Sequence, residues 1–379
     1  MASQTTLTSH DLHRCFARCA STPTLLVDLA VVEQDFLTFR ASFPDSPIFY
    51  AIKANPHPDV LTRLSTLGAG FEVSSVGELR LLLGLGIEGG RIISSNPVKT
   101  PAFLREAHAA GIRYFAYDSA AEVDKLAELA PGSQGLVRLE VSNEHSEWPL
   151  DKKFGVDSNH ALELLAYARD RGVDPVGVIF HVGSQCRSVD GWRVALEKTS
   201  RMWDEGRKQG APLQILNVGG GMPVVYTDDR VPSIPAVASA IRAECARLFP
   251  SGSKVWLEPG RAIVGRAGTL VCSVIGLAQR GGARWVYLDV GVFHGLAEAT
   301  GGIRYRFLSD APGPESPCTI AGPSCDSVDV ISTDALLPDV RVGDRLAIAS
   351  CGAYTTVYAS GFNGFPGPET QIIESWGDG

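Results

Sequence analysis

Residues 48–73 read IFYAIKANPHPDVLTRLSTLGAGFEV, and this order of segments decides the architecture. IFYAIK is an apolar run with strand character, stopped by Asn55 and Pro56. HPDVLTRLSTLG has helical periodicity, and GFEVSS begins a second apolar run. Strand, helix and strand in succession imply two parallel strands joined by a crossover helix. The pattern repeats from about residue 24 to about residue 260. TLLVDL, RIISSN, YFAYDS, GLVRLEV, VGVIFHVG, ILNVGGG and VWLEPGR read as further strands. VGELRLLLGLG, TPAFLREAHAAG and SAAEVDKLAEL read as helices between them. About eight such units favour a closed (β/α)8 barrel of the TIM type over an open doubly wound sheet. Residues 24–265 are therefore expected to form the barrel.

Beyond residue 265 the texture changes. GTLVCSVIGLAQ, ARWVYLDVG, PCTIAGPSC and DRLAIAS are strand-like and are separated by Gly, Pro and Asp. Residues 266–379, with residues 1–23, are expected to form a β-rich second domain.

The composition belongs to a soluble globular chain: 379 residues, 45% hydrophobic, 20% charged, with a formal net charge of −8. No stretch approaches the roughly 18 uninterrupted apolar residues of a membrane span, and the polar N-terminus lacks a signal core. The acidic balance argues against a nucleic-acid surface. Eight cysteines show neither CxxC pairs nor a metal-type spacing with His, so no metal is expected. A cytoplasmic enzyme is the expectation.

Candidate chemistry falls where strands end. Lys53 follows a strand expected to be buried on both faces. It reads either as an amine suited to Schiff-base chemistry or as a snorkelling lysine. His181 in HVGSQ, taken by itself, reads first as a core histidine bonded to backbone. Gly219, Gly220 and Gly221 make a loop whose backbone N–H groups suit an anion. In EPGR, Glu258 and Arg261 either pair with each other or serve a ligand, the arginine offering a bidentate fork. GPSCDSVD (322–329) and CGAY (351–354) each follow a strand, and the first could be only a turn.

Taken in order, YAIKAN, HVGSQ, GGG, EPGR, GPSCDS and CGAY resemble the ornithine/diaminopimelate/arginine decarboxylases. These are pyridoxal-phosphate enzymes of the alanine-racemase-like fold. The likeness runs from about Pro23 to Glu369 and is strongest to ornithine and lysine/ornithine decarboxylases. It implies pyridoxal 5'-phosphate held by Lys53 as a Schiff base. His181 would stack on the ring, and Glu258 would hold the ring nitrogen. Glu72, Glu78 and Arg138 would stand near the cofactor and its lysine. Ser184, Gly219 to Gly221, Arg261 and Tyr354 would bind the phosphate.

The resemblance also implies a homodimer with shared active sites. Cys325 from the partner subunit would protonate the carbon that loses carbon dioxide. Asp326 would pair with the distal ammonium of the substrate, and Phe362 would line its pocket. Lys153 and Asp329 would form a salt bridge across the interface.

Diaminopimelate decarboxylases typically read CES where this chain has Cys325-Asp326-Ser327, and they carry an arginine shortly after CGAY. Residues 355–369 contain no Arg or Lys, so a buried distal carboxylate would lack a partner. HVGSQ leans toward that branch all the same. The expected substrate is L-ornithine or L-lysine, giving a diamine for polyamine biosynthesis. Glu298, Asp310 and Glu315 are candidates for a second acidic group at the distal amine. A distally modified ornithine of the siderophore type remains open, with residues 301–317 as the place for extra room. A racemase would need a second base where Cys325-Asp326 stands. A non-catalytic homologue resembling the antizyme inhibitors would have lost the cofactor residues.

Overall fold

The computed structural model describes residues 9–150, 153–227 and 230–375. The chain divides into two compact units. One comprises Phe36–Pro223 and Pro232–Gly260. The other comprises the chain through Asp35, Val224–Val231 and everything from Arg261 on.

The first unit is built on eight short parallel strands: β1 (Phe49–Ala51), β2 (Gly70–Glu72), β3 (Ile92–Ile93), β4 (Tyr114–Tyr117), β5 (Gln134–Arg138), β6 (Asp174–Ile179), β7 (Ile215–Asn217) and β8 (Lys254–Trp256). Parallel ladders join β1 to β3 and β4 to β8. Single parallel bridges, Ser94 to Phe115 and Ile48 to Leu257, complete the ring. The closed barrel expected from the strand–helix alternation is thus observed.

Seven helices connect the strands: α1 (Pro58–Thr66), α2 (Val76–Gly84), α3 (Pro101–Ala109), α4 (Ala120–Leu129), α5 (Ser158–Asp170), α6 (Asp190–Lys208) and α7 (Ile234–Leu248). Their starts are encoded locally. Ser75, Thr100, Ser119, Asp157 and Ser233 each accept a hydrogen bond from an N–H of the first turn, and proline opens α1, α3 and α7. At α2 the cap is reciprocal. Ser75 accepts from the Glu78 N–H at 3.3 Å, and the Glu78 carboxylate accepts from the Ser74 N–H at 2.6 Å.

The barrel interior is a single apolar cluster with side chains from β1 and from β3 to β8. Trp256 is central, its ring 4.9 Å from Phe49 and 4.8 Å from Tyr114 between centroids. A filled barrel of this kind is a core and not a pore, so the functional surface lies at the strand ends.

The second unit is an eight-stranded sheet with the core order Phe307–Leu308, Arg345–Ile348, Gly268–Arg280, Ala283–Leu288, Ser316–Ala321, Val330–Leu337. Thr24–Asp28 also belongs to it, antiparallel to the start of Gly268–Arg280 and parallel to Glu369–Ile373. This corrects the sequence division, which assigns residue 24 onward to the barrel. All five residues of that strand are buried, so its pattern is indistinguishable from that of a barrel strand. Only pairing with distant segments decides its sheet. Residues 1–8 and 376–379 of the expected β-rich domain lie outside the described residues. Among the described residues no helix is long and apolar enough to cross a membrane.

Trp256→Ala should destabilise the barrel by about 3–5 kcal/mol, the range for deleting a large buried aromatic. Urea unfolding checks this; an unchanged midpoint would contradict the packing described.

Candidate active site

Barrel closure brings the strand ends together. Lys53 sits in a 3-10 turn, Ile52–Ala54, directly after β1, and Glu72 ends β2. Ser95 follows β3, Arg138 ends β5, His181 follows β6, and Glu258 follows β8. These six residues line one cavity of about 570 Å³, together with Ser74, Asn96, Pro149, Leu150, Lys153 and Phe154.

Lys53 is exposed, whereas β1 before it is buried throughout. The strand matches the sequence expectation; the lysine does not share its burial, because the strand ends at Ala51 and the side chain faces an open cavity. Glu258 is buried. Its Oε1 accepts hydrogen bonds from Ser95 Oγ and, at 2.5 Å, from Asn217 Nδ2. Both fall on one oxygen, which leaves Oε2 for another donor. Burial, then the nearby charge of Glu72, pushes the Glu258 carboxyl up to about 7.

His181 is held by the Gly183 N–H, which donates to its Nδ1 at 3.0 Å. Desolvation, with Arg138 and Lys53 nearby, pushes the imidazole down to about 3, so it is neutral at ordinary pH. With Nδ1 accepting, the proton of the neutral ring sits on Nε2. Arg138 donates to the Ser95 carbonyl at 3.5 Å and lies over the Phe154 ring at 5.3 Å. Glu78 serves the α2 cap described above and does not line the cavity.

Gly219 and Gly221 have positive φ, 66° and 93°. A Cβ on Gly219, Gly220 or Gly221 would lie about 2.5 Å from the carbonyl oxygen of Phe180, Glu258 or Gly183 respectively. The Gly219 N–H is already engaged, donating to Asn217 Oδ1 at 2.9 Å. Of the three loop amides expected to serve an anion, that of Gly219 thus already has a partner within the loop. Ser184 opens the short strand Ser184–Cys186, which pairs with Ser146–Trp148.

The other candidates lie in the second unit. Arg261 is buried, and its fork is taken by Glu298, with contacts of 2.8 and 2.5 Å, while it also donates to the Tyr226 hydroxyl. The fork that the sequence reading offers to a phosphate is therefore already used within this unit, because a buried charge demands a partner. The same pairing removes Glu298 from the candidates for the substrate amine. Asp310 faces His13 at 3.2 Å. Tyr354, at φ 60°, lies 4.8 Å under the Arg261 guanidinium.

Cys325 and Asp326 are exposed on the loop after Ser316–Ala321. The Cys325 N–H donates to Asn363 Oδ1 at 3.0 Å. Phe362, in the same loop as Asn363, packs against Phe293 with the rings tilted by 45° and their centroids 4.7 Å apart. Asp329 is buried and accepts the N–H groups of Val292 (2.8 Å) and Ser324 (3.0 Å), so it braces the loop that carries Cys325. Lys153 is exposed beside the Phe154 ring. Among residues the sequence reading did not single out, Ser95 and Asn217 matter most. Asn217 is the one polar residue in the run ILNV, and that was the available signal.

An amine, a neutral imidazole, an arginine and a buried carboxylate with one unused oxygen, beside two unpaired loop amides, form a donor set for an aldehyde-bearing pyridine phosphate. The class is that of barrel enzymes using pyridoxal phosphate. The family described as pyridoxal-dependent decarboxylase, pyridoxal binding domain, matches residues 29–265, and the chain belongs to these decarboxylases. It is 38% identical over 366 residues to a lysine/ornithine decarboxylase of Selenomonas ruminantium, covering 95% of this chain and 92% of that one. It is 34% identical to an ornithine decarboxylase of Schizosaccharomyces pombe, covering 90% and 81%. The crystal structure of a lysine/ornithine decarboxylase from Vibrio vulnificus, complexed with cadaverine, superposes with a TM-score of 0.89 at 32% identity, covering 97% and 99%.

The raised Glu258 carboxyl has a measurable consequence. Between its ordinary value of 4.5 and about 7 the folded chain keeps a proton that the unfolded chain has lost. Its contribution to stability therefore falls as pH rises through that window. In thermal melts without cofactor, the Tm of Glu258→Gln relative to the parent should climb across it; a constant difference would contradict the assignment.

Proposed function

We propose that the protein decarboxylates a basic diamino acid, L-ornithine or L-lysine, to the diamine and carbon dioxide. The observation that carries the proposal is the convergence of Lys53, Arg138, His181 and Glu258 on one cavity in a chain of this family. The substrate class is supported by the names of its relatives and by Asp326, an exposed carboxylate suited to a distal ammonium.

Pyridoxal phosphate, when bound, supplies a ring that takes up the electron pair left as the carboxylate departs. Lys53 would hold it covalently through Nζ. Glu258 would accept the ring N–H on Oε2, with Ser95 and Asn217 fixing Oε1. A cationic donor there favours the ionised carboxylate and so reverses the effect of burial. Neutral His181 would face the ring without adding a competing charge. Glu72 and Arg138 flank this group. Ser184 and the amides of Gly220 and Gly221 would hold the phosphate. Arg261 and Tyr354 complete that set on the strength of the resemblance, Arg261 arriving already paired with Glu298.

The β-rich domain is assigned to a two-fold homodimer. There Cys325 of the partner would deliver a proton to the decarboxylated carbon, and Asp326 and Phe362 would bind the side chain of the substrate. Lys153 and Asp329 are assigned as a pair across the interface, since the Asp329 carboxylate keeps lone pairs beyond its two N–H bonds. Action in the cytoplasm, in polyamine biosynthesis, fits this chemistry.

A carbon dioxide release screen across ornithine, lysine, arginine and diaminopimelate should give turnover on the first two. Turnover confined to diaminopimelate would overturn the substrate assignment. Cys325→Ala should lower kcat by roughly 10²-fold or more, the usual scale for losing a placed proton donor. Asp326→Ala should raise KM for the diamino acid about tenfold, as expected for one charged hydrogen bond. An unchanged KM would indicate a neutral distal end.

A further inference from the structure

The loop that leaves β3 carries a charge network that the assigned chemistry does not use. Lys99 follows the loop Ser94–Val98 that leaves β3. Its ammonium is fully buried and donates to the carbonyls of Asn96 (3.0 Å), Pro97 (3.2 Å) and Ala116 (2.6 Å). It also meets the carboxylate of Glu122, on the first turn of α4, at 2.9 Å. Glu122, 2% exposed, receives the Lys99 N–H at 3.2 Å and the Lys125 ammonium at 2.5 Å. Lys125 in turn donates to the Lys99 carbonyl at 2.6 Å.

Every bond of this network falls on the backbone of the β3–α3 loop, on β4 or on α4. The loop presents Ser95 and Asn96 to the cavity, and Ser95 Oγ is one of the two donors to Glu258. A loop can be fixed by apolar packing; burying an ammonium is costly unless it is paired. Here the pairing is spent on the carbonyls of Asn96 and Pro97, the two residues next after Ser95. Moving either carbonyl would move the Ser95 hydroxyl relative to Glu258.

We propose that Lys99 and Glu122 are positioning residues: they clamp the loop after β3 so that Ser95 keeps its hydrogen bond to Glu258. The inference rests on Glu258 serving the cofactor ring, as proposed above. Glu258 is met by Ser95 and Asn217 directly and by Glu72 and Lys53 electrostatically; of its two donors Ser95 is the one on the clamped loop, where its backbone also meets Glu72 (3.4 Å) and Arg138 (3.5 Å).

The test is a double-mutant cycle on the full-length chain, read as the dissociation constant for pyridoxal phosphate by equilibrium dialysis, with Tm measured in parallel. Ser95→Ala should weaken binding about tenfold, the scale of one hydrogen bond to a charged group. Lys99→Met should weaken it similarly in the parent and hardly further in the Ser95→Ala background, because the two act through one contact. Should Lys99→Met not fold, Lys125→Met replaces it in the same cycle, since its side chain is 29% exposed and its loss loosens Glu122 and the Lys99 carbonyl, both members of the clamp. Losses that multiply, or a fall in Tm with unchanged affinity, would make the network structural only and overturn the inference. Unchanged binding in Ser95→Ala would overturn the ring-nitrogen reading and this inference together. Weakened binding in Ser95→Ala with none in the Lys99 or Lys125 variant would overturn the inference alone.

Discussion

Closure of the barrel between Ile48 and Leu257 is the constraint on which the site depends. Eight parallel strands point their C-terminal ends the same way, so residues that are far apart in the chain share a rim. Lys53 and Glu258 stand on the two strands that this bridge joins. Were the sheet open, they would lie at opposite edges and no cavity would contain both. The filled interior around Trp256 keeps that rim at one end and gives the cavity a solid floor.

The electrostatics of the rim follow from the crowding. Glu72 and Glu258 are both buried, with Arg138 and Lys53 nearby. Burial first, and then the charge of Glu72 in the same space, raises the Glu258 carboxyl, while Ser95 and Asn217 draw it back. A site of this kind is matched to a ligand that brings its own positive N–H. The neutral His181 fits the same logic, for a third cation would oppose that ligand. Fixed dipoles and charges arranged before the ligand arrives are the general way in which such sites gain strength.

Much of this was legible in the sequence, because barrel strands and helices announce themselves by period and because functional side chains follow strand ends. The helices after β1, β2, β3 and β4 fall within two residues of the segments read as HPDVLTRLSTLG, VGELRLLLGLG, TPAFLREAHAAG and SAAEVDKLAEL. What escaped was whatever depends on contacts between distant segments. Thr24–Asp28 reads as one more barrel strand until its partners at residues 268–271 and 369–373 are known. Arg261 and Glu298 pair across 37 positions, which no local pattern reveals. The Gly219 amide is lost to an asparagine two residues earlier, a local event that a count of glycines passes over. Lys99 stands in the loop segment NPVKT with no pattern to mark it, and only its burial distinguishes it.

On the proposed function, the ε-amine of Lys53 would carry the cofactor. Borohydride reduction of the protein with bound pyridoxal phosphate, followed by peptide mapping, tests it most directly. A stable pyridoxyl adduct is expected on the peptide containing Lys53, with none there in Lys53→Ala. A colourless protein with no adduct, or an adduct on a different lysine, would contradict it.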